Sequence, residues 1–290
     1  MGEWIWNRWR RAWQVQRQRR ALARVPPLAF DPGPLRPLSA QDLTDILDSE
    51  DNHRAWESLR MDLEAVCAIE DGVTNGVNPG DRRALYYLVR GLRPQTVLEI
   101  GTHVGASTVH IATALRDLGG PGSVTTVDVV DVNDPHAGFW RQAGLAHSPQ
   151  HMVDRLGCGD RVQFVRSSSL DFLEGCDADY DLIFLDGDHA AETVYREVPR
   201  ALEALRPGGI ILCHDYYPDN RAFWPNGHIE AGPHVALARL RRETAAGLGV
   251  LPLGALPWPT KRGSHHTSLA LLTRRPDGLD PDAHPAEPSR

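Results

Sequence analysis

The sequence predicts an α/β fold, a parallel sheet with helices on both faces, and three observations predict it. From residue 96 short apolar runs alternate with amphipathic segments, as where "TVLEI" leads into "ASTVHIATALRDL". Strands that alternate with helices pair in parallel through crossovers. The runs end in Gly, Asp, Ser or His, and ligands of such sheets collect beyond the carboxyl ends of the strands. The chain has 290 residues, 41% hydrophobic and 24% charged, enough for one large domain with appendages or for two small ones.

Four regions follow along the chain. Residues 1–40 form a basic extension and a Pro-rich linker. Residues 1–24 hold seven Arg and one Glu, a local +6 in a chain of net charge −7, which leaves about −13 for the rest. Trp6, Trp9 and Trp13 recur at i, i+3 and i+7, one face of a helix. Such a face is expected to dock on protein or to pair in a dimer, with an acidic membrane surface or a nucleic acid as sharper alternatives. "PPLAFDPGPLRPLS" (26–39) reads as a linker.

Residues 41–95 are a helical N-terminal region. Ser39 with Asp42 resembles a helix start. Helical pattern covers 41–48 and 52–70, with Trp56, Leu59, Leu63 and Val66 apolar. "NGVNPGD" (75–81) breaks it, and "RRALYYLVRGL" (82–92) is a further short helix.

Residues 96–275 are the sheet domain. Strands are expected at "TVLEI", "SVTTVDVV", "RVQFVRS", "YDLIFLD", "GGIILCHD" and "HTSLALLTR". Helices are expected between them, with Pro199 kinking or restarting the one after the fourth strand. Residues 276–290, rich in Pro and acid, are expected to be disordered.

The strand ends carry the chemistry. After the first comes "EIGTHVGAS" (99–107), whose glycines let a ligand approach the backbone and whose following helix N-terminus favours an anion. This is not the GxGxxG of dinucleotide sites. Asp128 ends the second strand, and a carboxylate there suits a pair of ribose hydroxyls. Ser167, Ser168 and Ser169 follow the third, where small hydroxyls suit an adenine edge. The fourth runs into Asp186-Gly187-Asp188-His189, and the fifth into "HDYY" (214–217). Singly each is an ordinary loop residue or helix cap. In this order they offer what an adenosyl amino acid needs.

Residues 96–273 resemble the class I S-adenosylmethionine (SAM)-dependent methyltransferases, most closely the catechol-type and natural-product sugar O-methyltransferases. "VLEIGTHVGAST", "VTTVDVV", "YDLIFLDGDHAAET" and "LRPGGIILCHDYY" carry the resemblance, over about three-fifths of the chain. It implies a Rossmann-like seven-stranded sheet with an antiparallel last strand, here 268–273, plus the N-terminal helical extension. It implies SAM as cofactor. Glu99, Gly101, His103 and Ser107 would then lie by its amino acid end, Asp128 by the ribose, and Ser168 and Ser169 by the adenine. Asn78 would close over it by a looser match.

The resemblance also implies a divalent cation, Mg or Mn, held by carboxylates after strands four and five. Here these are Asp186 and Asp215. A hard cation takes oxygen ligands and lowers the pKa of a bound hydroxyl. The third ligand departs from the pattern, because His214 precedes Asp215 and Tyr216 follows it. Imidazole suits Mn, Fe or Zn better than Mg. His189 falls where catechol-type relatives carry a lysine, and histidine titrates near neutral pH. His189 is therefore the expected base, with Asp186 orienting it or the substrate. Without catalysis, His189 would cap or pack on the next helix. The insertion 216–232, with Phe223 and Trp224, reads as a substrate lid, and His228, His234, His265 and His266 lie in regions that border it.

The expected activity is methyl transfer to a hydroxyl of a small molecule, a sugar, phenol or natural product. The alternatives are an RNA methyltransferase using the basic N-terminus, or a SAM-binding module without catalysis. An acidic body argues against nucleic acid, and "DGDH" is not the Asn/Asp-Pro-Pro-aromatic signature of nucleobase N-methyltransferases. No apolar run approaches the ~20 residues of a membrane span, and no signal peptide is visible. Four scattered cysteines without a CxxC pair suggest neither a zinc site nor disulfides, so a cytoplasmic protein is expected; a homo-oligomer is expected as a separate matter.

Overall fold

The computed structural model describes residues 2–67, 76–177, 179–224, 226–244, 247–261 and 263–274, with side chains of the first helix from Trp9 onward. Among the described residues, four helices precede the sheet: α1 (Gly2–Leu22), α2 (Ala40–Leu47), α3 (Glu50–Val66) and α4 (Pro79–Leu92). Then come β1 (Thr96–Ile100), α5 (Ala106–Asp117), β2 (Ser123–Asp128), α6 (Pro149–Arg155), β3 (Val162–Arg166) and α7 (Ser169–Glu174). The chain continues through β4 (Tyr180–Leu185), α8 (Ala191–Glu203), β5 (Leu205–Cys213), α9 (Ala231–Glu243), β6 (Leu248–Pro252) and β7 (Ala270–Arg274).

The sheet order is β3-β2-β1-β4-β5-β7-β6. Strand β7 is antiparallel to both of its neighbours, β5 and β6, while β1, β2, β3, β4 and β5 pair in parallel. The apolar pattern misses β6, because Leu248–Pro252 holds a Gly and a Pro and buries only its first two residues.

Strand side chains alternate between two cores, as the pleat requires. Val97, Leu182, Phe184 and Leu212 face α4 and α5, where Tyr86, Tyr87, Val109 and Ile111 meet them. Leu98, Ile100, Ile183, Leu185 and Ile211 face the other way, onto Val194, Tyr195, Val198 and Leu237 of α8 and α9. Phe184 is wholly buried, and truncating such a residue to Ala costs about 3–5 kcal/mol.

The helical region before the sheet is part of this core. Ser39 caps α2 in a reciprocal capping box with Asp42. The helix expected over 82–92 begins earlier, inside the "NPGD" segment: Asn78 caps α4 and Pro79 begins it, since Pro at the first helical position loses no bond. Residue 75 and its neighbours back to 68 lie outside the described residues. Gly80 lets the 256–260 loop seat on this first turn, because a Cβ there would lie 2.5 Å from the Pro259 carbonyl oxygen. The linker 26–39 is pinned under the sheet: Arg36 N–H donates to the Gly209 carbonyl at 2.9 Å, and Leu38 N–H to Thr273 Oγ1 at 3.1 Å.

Pro199 does not restart its helix, for α8 runs through it from Ala191 to Glu203. Proline forfeits one i→i−4 bond, and here the surrounding turn is buried against the sheet, with Val198, Ala201 and Leu202 among its contacts. The tail 276–290 lies outside the described residues.

Candidate active site

The sheet order reverses between β1 and β4, which opens a crevice beyond their carboxyl ends. A cavity of about 520 Å³ occupies it. Three strand ends are knitted together beneath. Gly101 N–H donates to the Val127 carbonyl and Asp186 N–H to the Ile100 carbonyl, both at 2.9 Å. Gly101 has φ +98°, and a Cβ on it would lie 2.1 Å from the Asp186 carbonyl oxygen. Only glycine fits that crossing.

On one side stands Asp128. Its Oδ2 accepts from His103 N–H at 2.8 Å and its Oδ1 from Val130 N–H at 3.1 Å. The carboxylate is braced, yet each oxygen keeps a lone pair for a further donor. His103 holds φ +50° to make its bond, and its ring leans on Phe139 with centroids 5.0 Å apart. Burial lowers the pKa of His103. Next to it α5 begins at Gly105, with no side chain capping it. The helix N-terminus, with the buried Ser107 in its first turn, is therefore open to an anion at the cavity wall.

Gly101, His103, Ser107, Asp128, Ser168 and Ser169 all line the cavity. Ser168 spends its hydroxyl on the cap of α7, donating to Asp171 Oδ2 at 2.6 Å. Two expected cofactor residues do not line it. Glu99 is wholly buried behind the wall, its Oε2 accepting from Thr108 Oγ1 and Thr126 Oγ1 at 2.6 Å each. The strand alternation turns Glu99 to the Val97 side, and burial pushes its carboxyl up to about 7. Asn78 is the cap of α4: its Oδ1 accepts from Asp81 N–H at 3.1 Å and its Nδ2 donates to Asp81 Oδ2 at 2.6 Å. The cavity is lined instead by its neighbours Gly76 and Val77.

The other side is a cluster of charge. His189 Nε2 lies 3.3 Å from Asp215 Oδ2. His214 Nδ1 lies 3.0 Å from Asp186 Oδ1 and 3.7 Å from Asp215 Oδ1, and its Nε2 lies 3.0 Å from Asp81 Oδ2. Burial opposes charge on the His214 ring, but Asp186 and Asp215 outweigh it and hold the imidazole well above its ordinary range. Burial likewise opposes charge on Asp215, and the His214 ring, helped by His189, holds that carboxyl well below the usual range. Asp215 sits at φ +53°, a conformation that costs a non-glycine residue about 1–2 kcal/mol.

Asp186, His189 and Asp215 each turn a ligand atom into one space, all within 4.8 Å of one another. His214, expected as the third metal ligand, does not join them, because both of its nitrogens already face carboxylates. The imidazole that faces the same space as Asp186 and Asp215 is that of His189. Asp81 was not singled out in the sequence, where it ends the segment expected to break the helical pattern. Asp188 does serve as a local cap, its carboxylate accepting from Ala190 N–H at 3.0 Å and Thr193 Oγ1 at 2.6 Å.

The insertion after β5 builds its own small core. Trp224 packs with Tyr217, Ile229 and Ala231, and Phe223 stacks between Tyr217 and His266. Among the described residues, none of Phe223, Trp224, His228, His234, His265 and His266 lines the cavity.

Residues 98–216 match a family model described as "Methyltransferase domain". A protein of Mycobacterium sp. (strain JLS) assigned as an O-methyltransferase is 31% identical over 163 residues, 55% of this chain and 67% of that one. The chain belongs to the class I SAM-dependent O-methyltransferases. A catechol O-methyltransferase of Niastella koreensis is 29% identical over 61% of this methyltransferase and 75% of its own length. Two solved structures share the fold. One, a Klebsiella pneumoniae protein assigned as an O-methyltransferase, has a TM-score of 0.50 and 23% identity over 82% of this chain and 92% of its own. The other, an SAH-bound methyltransferase of Podospora anserina, has a TM-score of 0.50 and 19% identity over 79% and 97%.

The cavity of this methyltransferase fits SAM. The braced Asp128 offers acceptors for two hydroxyls, and the uncapped start of α5 offers donors for a carboxylate. The donor set Asp186, His189 and Asp215, two carboxylates and an imidazole, fits a divalent cation.

Proposed function

We propose that this methyltransferase transfers a methyl group to a hydroxyl of a small molecule, such as a sugar, a phenol or another natural product, with His189 as the base. The observation that carries this is the His189–Asp215 pair at the cavity wall, with Nε2 and Oδ2 3.3 Å apart. When bound, SAM supplies a methyl group on a sulfonium. Asp215 accepts a hydrogen bond from Nε2–H of His189, which leaves Nδ1 with a lone pair for the hydroxyl proton of the acceptor. Asp186, on the same wall, accepts from the acceptor and orients it. The largest share of the rate enhancement comes from in-line alignment of acceptor and donor in a closed site.

The grouping of Asp186, His189 and Asp215 supports a second, metal-assisted reading. In it these residues hold a divalent cation, which would lower the pKa of the acceptor hydroxyl. The His189 imidazole then favours Mn, Fe or Zn over Mg. One experiment separates the two. The enzyme is stripped with chelator and assayed on hydroxylated acceptors with SAM, then Mg, Mn or Zn is added back. Full activity after stripping supports His189 as base. Activity restored only by metal supports the cation. Methylation of none of the phenols and sugars tried, with SAH still bound, counts against the small-molecule acceptor.

A further inference from the structure

One feature of the chain plays no part in methyl transfer: the outer face of α1. Its inner face is fixed to the body. Leu22 is buried, Gln18 Oε1 accepts from Ala191 N–H at 2.9 Å, and Arg239 donates to the carbonyls of Leu22 and Val25. The outer face is left bare. Trp9 is 70% exposed and Trp13 62%, the two most exposed indoles or phenyl rings among the described residues. The Arg17 guanidinium lies 5.6 Å from the Trp13 ring. Trp9, Trp13, Arg17, Arg20 and Arg24 border one shallow surface hollow. Their spacing of three and four residues makes a single stripe, with indoles at one end and guanidinium groups at the other.

The charge of this stripe selects its partner. No Asp or Glu occurs between Trp4 and Arg24, so the stripe has no internal compensation. Pairing two such faces in a dimer would bring uncompensated arginines together, which disfavours a second copy. An indole is most at home in the headgroup layer of a bilayer, ring in the apolar part and N–H wet. Each arginine held near an anionic leaflet adds about 1 kcal/mol. A straight helix that offers one stripe also suits a flat surface. We infer that the outer face of α1 docks this methyltransferase on an anionic lipid surface, with Trp9 and Trp13 in the headgroup layer and Arg17, Arg20 and Arg24 on lipid phosphates.

The test is flotation of the full chain with vesicles of phosphatidylcholine alone and of phosphatidylcholine mixed with phosphatidylglycerol. Binding is expected to the mixed vesicles, roughly tenfold or more above the neutral ones, and to weaken with salt. The double variants Trp9→Ala/Trp13→Ala and Arg17→Glu/Arg20→Glu should each lose roughly tenfold, while SAH affinity, which reports the fold of the body, is kept. Equal binding to both vesicles, no binding to either, or binding that neither variant weakens overturns the inference. So does a wild type that binds an RNA oligonucleotide but no vesicle, or one that forms a dimer lost in Trp9→Ala/Trp13→Ala and floats with neither lipid.

Discussion

Nε2 of His214 lies 3.0 Å from Oδ2 of Asp81, a carboxylate wholly buried in the first turn of α4. The contact spans 133 positions and ties the helical region before the sheet to the floor of the active site. His214 in turn faces Asp186 and Asp215, so Asp81 anchors the far side of the ring that organises both.

Asp81→Asn removes that anchor and leaves a charged ring with one fewer counter-charge. Breaking a buried pair costs about 3–5 kcal/mol, which lowers the melting temperature by roughly 6–20 °C at 2–4 °C per kcal/mol. Thermal unfolding monitored by circular dichroism reads this directly. A variant as stable as the wild type would mean that Asp81 carries no weight at His214.

Stability should depend on pH in a defined window. His214 is held above its ordinary range of about 6.5. Its contribution is therefore complete below about pH 6.5 and is lost as pH rises through the higher folded value. Asp215 is held below its ordinary range. Its contribution is complete above about pH 4 and is lost as pH falls through the lower folded value. Unfolding measured across pH should show greatest stability between these limits, with an alkaline decline that His214→Asn removes.

Asp128→Ala should weaken SAH binding by about tenfold to a hundredfold, the worth of charge-assisted hydrogen bonds. The same change frees the His103 and Val130 N–H groups from their acceptor. Isothermal titration calorimetry measures the loss, and affinity equal to wild type would remove Asp128 from the ribose.

His189→Gln keeps polarity and approximate size at the cavity wall but cannot take the proton. Under the proposed chemistry kcat falls about 10²- to 10⁴-fold, while SAH affinity is unchanged because His189 faces Asp215. A fall in SAH affinity with kcat kept would place the residue on the cofactor side.

Gln18→Ala removes the side-chain acceptor of Ala191 N–H at the start of α8, where Ala190 offers none. Losing a helix cap costs about 1 kcal/mol. Because the capped N–H lies two residues beyond His189, the expected result also includes a lower kcat at unchanged SAH affinity. Equal kcat in the variant would confine Gln18 to stability.

Much of this is legible along the chain because it rests on local rules. Short apolar runs mark β1, β2, β3, β4 and β5. The residues that end each strand must point to the ligand side, and Asp128, Asp186 and Asp215 follow from their positions in order. Glu99 sits one residue too early in its strand for the cavity, and the face it takes depends on β1 meeting Phe184 and Thr126 across the sheet. Asn78, expected to close over the cofactor, caps α4 instead, with its side chain bonded to Asp81. Nothing in "NPGD" says that His214 will arrive beside it, nor does "AAET" reveal that α1 supplies its cap.

By itself the sequence determined the parallel strands β1 to β5, their order of chemistry and the class of cofactor, since each follows from apolar runs and from residue type at strand ends. Tertiary structure alone decided which groups share charge. It closed His214 between Asp81 and Asp186, brought His189 to Asp215 and turned the Trp9 and Trp13 face of α1 outward. Those outcomes depend on distances of a few ångströms between residues far apart in the chain. Such distances are set by how the helices pack on the two faces of the sheet, and a linear pattern does not carry them.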